Sequence, residues 1–311
     1  MLLSRCFCLA LDLWRIKVHN PKVVHRRVLS VLSLAAIVLS ALPSIESSSA
    51  APDKFKVDEL IAKHLDSIGS AQARAAVKTR VISGSSQVTF RTTPLGQATG
   101  RAVLASEGMK SLLGMSFPSP VYPREHLGFD GAHFIAAFVL PGQRSALGSF
   151  LMTHSVIFKQ GLMGGTLSSA WPLLDVATRS PQLEYVGTRT IENHALHEMK
   201  YLPRGGSDLQ IKLFFDSETF QHVRTEYERV IAGETGDRSM LAGVTRETRF
   251  KMIEEFSDFK KEGELVLPHG YKIRLTTDTQ SGTFSADWAL KLTQFDFNQP
   301  IDPNSFNITA D

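Results

Sequence analysis

Cysteine is nearly missing from this sequence. The chain holds two, Cys6 and Cys8, both at its N-terminal end. Residues 51–311 can therefore form no disulfide and offer a metal no thiolate. An excess of one charge is missing too. The formal net charge is +3, but six of the 34 basic residues and two of the 31 acidic ones lie in residues 1–50, leaving 28 basic against 29 acidic beyond them. With no dense basic patch, nucleic acid is not expected as a partner. The common catalytic signatures are absent as well. There is no G-x-S-x-G elbow, and the glycine-rich run GLMGGTLSSAWP is neither fed by a strand nor followed by Lys-Ser/Thr, so it is no phosphate loop. No nucleophile–base pair, metal set or cofactor loop stands out, so no catalysis, metal or cofactor is expected. What is present is enough apolar residue, 43%, to exclude a disordered chain.

The N-terminal fifty residues have the layout of a secretory signal peptide. Arg5, Arg15, Lys17, Lys22, Arg26 and Arg27 form a basic region, residues 28–42 an uncharged and mostly apolar run, and PSIESSSAAP a small-residue exit. Cleavage is expected after Ala50, with Ser48 and Ala50 as the small residues, and export to the periplasm follows. The apolar run is short for a membrane-spanning helix, which needs about 20 residues; the long basic region leaves an uncleaved anchor as the alternative. Residues 51–311 suffice for one large β domain, held together by its core alone. A monomer is expected.

Residues 55–78 read as a helix, a Gly–Ser break and a second helical turn. Leu60, Ile61, Leu65 and Ile68 recur at helical spacing, Asp58 and Glu59 sit where the helix dipole favours acids, and Gly69 is a natural stop. From Thr79 the period changes to two. Val88 and Phe90 alternate with Gln87, Thr89 and Arg91, and similar short β-branched and aromatic segments follow, separated by Gly, Pro, Asn and Asp. This is how consecutive antiparallel strands read, roughly nine to eleven of them. No strand–helix alternation appears, so a parallel sheet is not expected. A polar loop is read at residues 233–243.

One segment interrupts the strands, an insertion at residues 144–177. Leu147, Phe150, Leu151, His154, Ile157 and Phe158 share one side of a helix over residues 146–158; Gly161, Gly164 and Gly165 break it; a second apolar piece around Trp171, Leu173 and Leu174 follows. A sheet needs its apolar face covered, and this insertion together with the N-terminal helix is read as the cover. The glycines permit either a mobile gate or a plain surface connection. The lid residues are taken as His154, Phe158, Gly161, Gly164, Gly165, Trp171 and Leu174.

The stretch LQIKLFFDSETFQHVRTEYE, residues 209–228, places two carboxylates, Asp216 and Glu218, near His222 and Arg224. Ile211, Leu213 and Phe215 alternate on one side of it and Val223, Thr225 and Tyr227 on the other, with DSETFQ between, so two strands and a solvated turn account for every residue. His194 and His197 lie three apart on a strand, hence on opposite faces, which is wrong for one metal.

The same stretch carries a resemblance. FFDSETF followed by HVRTEYE is similar to a hairpin of the outer-membrane lipoprotein-sorting, or LolA-like, superfamily. VDELIAKHLDSIGSAQARAAVKTRVISGS resembles the opening helix and first strand of its exported members, EFSDFKKEGELVLPHGYKI its late hairpin, and FDFNQPIDPNSFNI its closing strand and tail. The resemblance implies a mainly β, α+β fold: a curved, incompletely closed, barrel-like antiparallel sheet with helices over its concave face. It also implies a lipid, an acyl chain or a lipoprotein as ligand. No residue here is matched to the polar residues that hold the lids of the sorting chaperones. Inward-facing candidates are Phe90, Phe134, Phe138, Ile211, Leu213, Phe215, Val223, Tyr227, Phe250, Met252, Ile273, Leu275, Trp288, Leu290 and Leu292. The alternation fits a ligand hollow and a dry core equally. Two readings stay open: a carrier for lipids or other apolar chains, and an envelope module that contacts a partner protein.

Overall fold

The structure, a computed structural model, describes residues 56–232 and 247–311. The signal-peptide reading and the loop at 233–243 lie outside these residues.

Among the described residues, twelve antiparallel strands form one sheet that does not close into a barrel. Five strands make a first meander: β1 (Thr79–Phe90), β2 (Gln97–Glu107), β3 (Lys110–Ser116), β4 (Arg124–Phe129) and β5 (Phe134–Ala136). Seven make a second: β6 (Gln182–Ile191), β7 (His194–Leu202), β8 (Gln210–Asp216), β9 (His222–Ile231), β10 (Thr248–Glu262), β11 (Leu265–Thr279) and β12 (Gly282–Phe297). Pairing of β1 with β12, from Arg80 opposite Phe297 to Phe90 opposite Ala286, fuses the two. The edges are then β5 and β6. These are consecutive in sequence, so residues 137–181 must run from one free edge to the other.

That crossing is the insertion, and it lies on the concave face. Phe158 stacks on Phe134 of β5 at 4.3 Å, Phe150 lies 6.3 Å from Phe250 of β10, and a Cβ on Gly165 would meet His222 of β9 and Phe256 of β10. The helix read over 146–158 is broken in two, α3 (Ala146–Thr153) and α4 (Val156–Lys159), because His154 leaves helical geometry at φ −113° and ψ 48°. Ser145 caps α3 by accepting the N–H of Gly148 at 2.8 Å. A short turn, α5 (Val176–Arg179), leads into β6.

The N-terminal helices follow the sequence reading. α1 (Val57–Ile68) buries Leu60, Ile61, His64 and Ile68, and α2 (Ala71–Ala76) is capped by Ser70. The hairpin turn is held by Asp216, whose Oδ1 accepts the N–H groups of Glu218 and Thr219 and the hydroxyl of Thr219.

Candidate functional site

Of the fifteen inward candidates, Phe134, Ile211, Leu213, Phe215, Tyr227, Met252, Ile273, Leu275, Trp288, Leu290 and Leu292 are buried in one hydrophobic cluster, and Phe90 and Phe250 pack against its border. Two do not join it. The pairing slips at Phe214/Phe215, so that His222 rather than Val223 opposes Phe215. Such a bulge reverses the alternation; His222 turns inward, and Val223 lines an outer cleft with Leu196 and Phe259. Phe138 lies beyond the end of β5, under the Arg144 guanidinium at 4.6 Å, with its N–H bonded to the carbonyl of Ala310.

Of the residues read as a lid, all but Leu174 are buried. Residues 161–168 and 170–173 are buried without exception, although they form only short 3-10 turns around Gly165–Leu167 and Pro172–Asp175. Irregular backbone normally runs over the surface because its polar groups need partners. The plain surface connection is thereby excluded. Leu162, Met163, Leu167, Trp171 and Leu173 are each at most 5% exposed. Gly161, Gly164 and Gly165 adopt left-handed φ of 66°, 78° and 51°, which lets the chain double back on itself. Leu174 is half-buried at the border of the cluster. His154 is buried against Phe150, with Nδ1 3.6 Å from Asp208, and burial lowers its pKa, partly opposed by that carboxylate. A pocket of about 20 Å³ lies beside this buried segment, lined by Leu104, Phe158, Met163 and Tyr271, room for about one water.

The backbone of the segment is held by polar side chains of the surrounding elements. Glu254 of β10, wholly buried, accepts the N–H of Gly164 at 2.8 Å and the hydroxyls of Tyr271 at 2.5 Å and Tyr227 at 2.6 Å. Burial raises its carboxyl pKa, and the three donors oppose the rise. Arg80 of β1, also buried, donates Nη1 to the carbonyl of Thr166, and burial lowers its pKa to about 10. Ser106 of β2 accepts the N–H of Ser169 at 2.9 Å. Arg179 donates to the carbonyls of Gln160 and Ala170 at 2.6 and 2.7 Å, tying the two ends of the segment together.

Trp171 is among the largest fully buried side chains. Its indole N–H donates to Nε2 of His64 on α1 at 3.0 Å, and its ring stacks on His222 at 4.5 Å. His64 Nδ1 lies 3.0 Å from the carbonyl of Phe220 in the hairpin turn. A nitrogen facing a carbonyl must carry the proton, so Nε2 is the acceptor and the ring is neutral. The helix, the buried segment and the hairpin thus meet at one histidine. Burial lowers the His64 pKa from 6.5 to about 4.

That shift has a sign. Between pH 6.5 and about 4 the unfolded chain binds the proton and the folded His64 does not, so stability falls as pH falls through this window, by about 3 kcal/mol in all. His222 is shifted the same way, chiefly by burial. Glu125, pushed by burial from 4.5 to about 7, has the opposite sign; its contribution is present below 4.5 and lost as pH rises through 7. The His64 part is isolated by difference. Urea unfolding of His64→Gln across pH 4–6.5 should show a shallower loss of stability than the parent chain; parallel curves would contradict the neutral-histidine account.

Alternation and helical spacing did not single out Glu254, Arg80 or His64, yet each lies on a legible apolar stripe. Glu254 falls between Met252 and Phe256, Arg80 precedes Ile82, and His64 stands between Leu60 and Ile68 at a spacing of four. A charged or polar residue in such a series is the signal that a buried polar partner exists. Among the described residues no helix is long and apolar enough to cross a membrane, and no group of three or more His, Cys, Asp or Glu is placed to hold a metal.

No family model and no curated protein matches the sequence. Solved structures similar in fold include a domain described as an outer membrane lipoprotein-sorting protein from Vibrio parahaemolyticus, at 12% identity over 79% of this chain and 97% of that one, TM-score 0.41. A LolA superfamily protein from Nitrosomonas europaea gives 9% identity, 81% and 97% coverage and TM-score 0.39. A DUF1329 family protein from Desulfovibrio piger gives 9%, 80% and 96%, and TM-score 0.40. These are likenesses of shape at low identity, and no residue role is taken from them.

Proposed function

We propose that this chain is a non-catalytic binding or carrier protein of the cell envelope, exported by residues 1–50, whose single domain holds lipid or acyl chains in the space filled here by residues 161–173. The observation that carries the reading is the nature of the filling. It is an irregular segment lodged on the sheet, pinned through a few polar contacts, and entered at its N-terminal end through left-handed glycines.

The magnitudes suit an exchange. Burying Leu162, Met163, Leu167, Trp171 and Leu173 is worth roughly 1.5–3 kcal/mol each, so of order 10 kcal/mol in all. An acyl chain of about fifteen methylenes recovers about 12 kcal/mol on burial at ~0.8 kcal/mol per methylene. The segment and the chain are therefore near-equal competitors for one apolar space, and the polar pins set the balance. Losing Gly164 costs Glu254 a donor, losing Thr166 costs Arg80 an acceptor, and losing Trp171 costs His64 a donor, at roughly 1–3 kcal/mol each if left unmade.

Native mass spectrometry of the purified chain tests the reading. Masses raised by co-purifying lipid, and lost on delipidation, are expected. A bare mass that stays bare after incubation with fatty acid or phospholipid would refute it, leaving the packed interaction module.

A further inference from the structure

The outer face of the sheet carries a second feature, made by register. Lys291 of β12 opposes Ser85 of β1, Ser85 opposes Arg101 of β2, Arg101 opposes Ser116 of β3, and Ser116 opposes Arg124 of β4. All five are exposed. Five neighbouring strands thus present cation, serine, cation, serine, cation in one straight row, with the cations about 10 Å apart at two strand spacings. A shallow groove of about 740 Å³ follows the row from Ser85 to Arg124 and is also lined by Ser83, Gly114, His126 and Thr293. Glu125 lines it too, but its carboxyl is buried and takes the hydroxyl of Tyr122.

The charge here departs from the rest of the face. Elsewhere cations are matched: Asp287 takes Arg91 at 2.5 Å and Arg274 at 2.9 Å, Glu226 takes Arg224 and Lys251, and Glu198 takes Lys212. Among the described residues no carboxylate lies within ion-pair distance of Arg101, Arg124 or Lys291; Arg124 meets only the carbonyl of Phe138, and Lys291 acts on Asp258 through space. Guanidinium groups beside hydroxyls on a glycine-lined floor are suited to phosphate oxygens.

The row continues into an apolar lip. The groove passes from Arg101 and Ser116 to Phe117 and Pro118, and then to Leu95, Pro120 and Val121 in the β1–β2 and β3–β4 turns. Leu95 is 45% and Val121 51% exposed. Further exposed apolar side chains, Leu202, Val230 and Ile231, lie at the same ends of their strands. Exposed apolar tips beside a line of unmatched cations are what a bilayer interface takes up, the tips at the acyl boundary and the cations among the phosphates.

We propose that the Lys291–Ser85–Arg101–Ser116–Arg124 row and the Leu95–Val121 lip form a docking face for an anionic phospholipid bilayer. This goes beyond the carrier reading and does not rest on it, since the row and lip lie outside the concavity.

The test is co-sedimentation of the full chain with vesicles of phosphatidylcholine containing a minority of phosphatidylglycerol, against pure phosphatidylcholine, with hydrogen exchange followed on the bound protein. Binding to the anionic vesicles should weaken with added salt, and the amides of residues 117–123 should gain protection. The triple variant R101Q/R124Q/K291Q should partition about a hundredfold more weakly, roughly fivefold for each cation. Its melting temperature should move little, because the row is exposed and the substitutions give up only the exposed bond from Arg124 to the carbonyl of Phe138. If the triple variant melts early, the single variants R101Q and R124Q carry the test at fivefold each. Equal partition of parent and variants, or no protection of 117–123, would overturn the proposal. So would inorganic phosphate alone protecting the row as fully as vesicles do, which would make it a site for a free anion. A chain that docks on vesicles yet retains no acyl ligand would refute the carrier reading and leave this one standing.

Discussion

Trp171→Ala is expected to remove about 3–5 kcal/mol from the unfolding free energy, the range for truncating a buried aromatic side chain. The upper end is expected, because the loss has two parts. The ring leaves a void against His222, and Nε2 of His64 is left as a buried acceptor without its donor. Trp171→Phe weights the second part, since it keeps a ring on His222 and loses the N–H with only part of the indole volume; about 1–3 kcal/mol is expected for it. Urea unfolding measures both. The same variants bear on ligand exchange in the opposite direction. A segment that buries less is easier to displace, so Trp171→Ala should take up a fluorescent fatty acid more tightly than the parent chain. Weaker uptake with the fold intact would show that Trp171 is part of the binding surface and not of a displaceable filling.

The second large effect is expected from one methyl group. Gly161 stands at φ +66°, and a Cβ there would fall 1.9 Å from the carbonyl oxygen of Ala170 and 2.7 Å from its carbon. Both obstacles are backbone, so no rotamer change relieves them. The left-handed geometry adds about 1–2 kcal/mol for an L side chain. Gly161→Ala should therefore disfavour the buried arrangement by about 3 kcal/mol or more, a shift of about a hundredfold toward the displaced one. Gly96 supplies the control. It has φ +68° and nothing within 4 Å of its Cβ position, so Gly96→Ala should cost only about 1 kcal/mol. Hydrogen exchange should show protection lost across residues 162–173 in Gly161→Ala while the β10 and β11 amides stay protected. Uniform loss over the sheet would mean that the segment is an inseparable part of the core.

Much of the architecture could be read from residue spacing, because each β-strand buries one face and period two survives even in short segments. Val88 against Gln87 and Thr89, and Leu290 and Leu292 around Lys291, are of this kind. The turn at Asp216 was legible for a local reason, a carboxylate that bonds the next backbone amides. What failed was non-local. Register between Arg80 and Phe297 joins positions more than two hundred residues apart, and no local pattern specifies it. That pairing makes β5 and β6 the edges and so forces the insertion across the concavity, which spacing alone left undecided between gate and surface loop. The single helix over 146–158 failed for a different reason. Apolar spacing continues through His154 and Ser155, while the backbone turns there. The pins escape an alternation of apolar residues because Glu254 and Arg80 occupy inward positions with charged side chains.

The central claim is that residues 161–173 occupy the ligand's place and leave it when a ligand arrives. Hydrogen exchange across residues 159–177, with and without a long-chain fatty acid, tests it most directly. Protection that is measurable without the fatty acid and falls when it is added, with the strands unchanged, is the predicted result. Amides as protected as those of the strands in both conditions would contradict it.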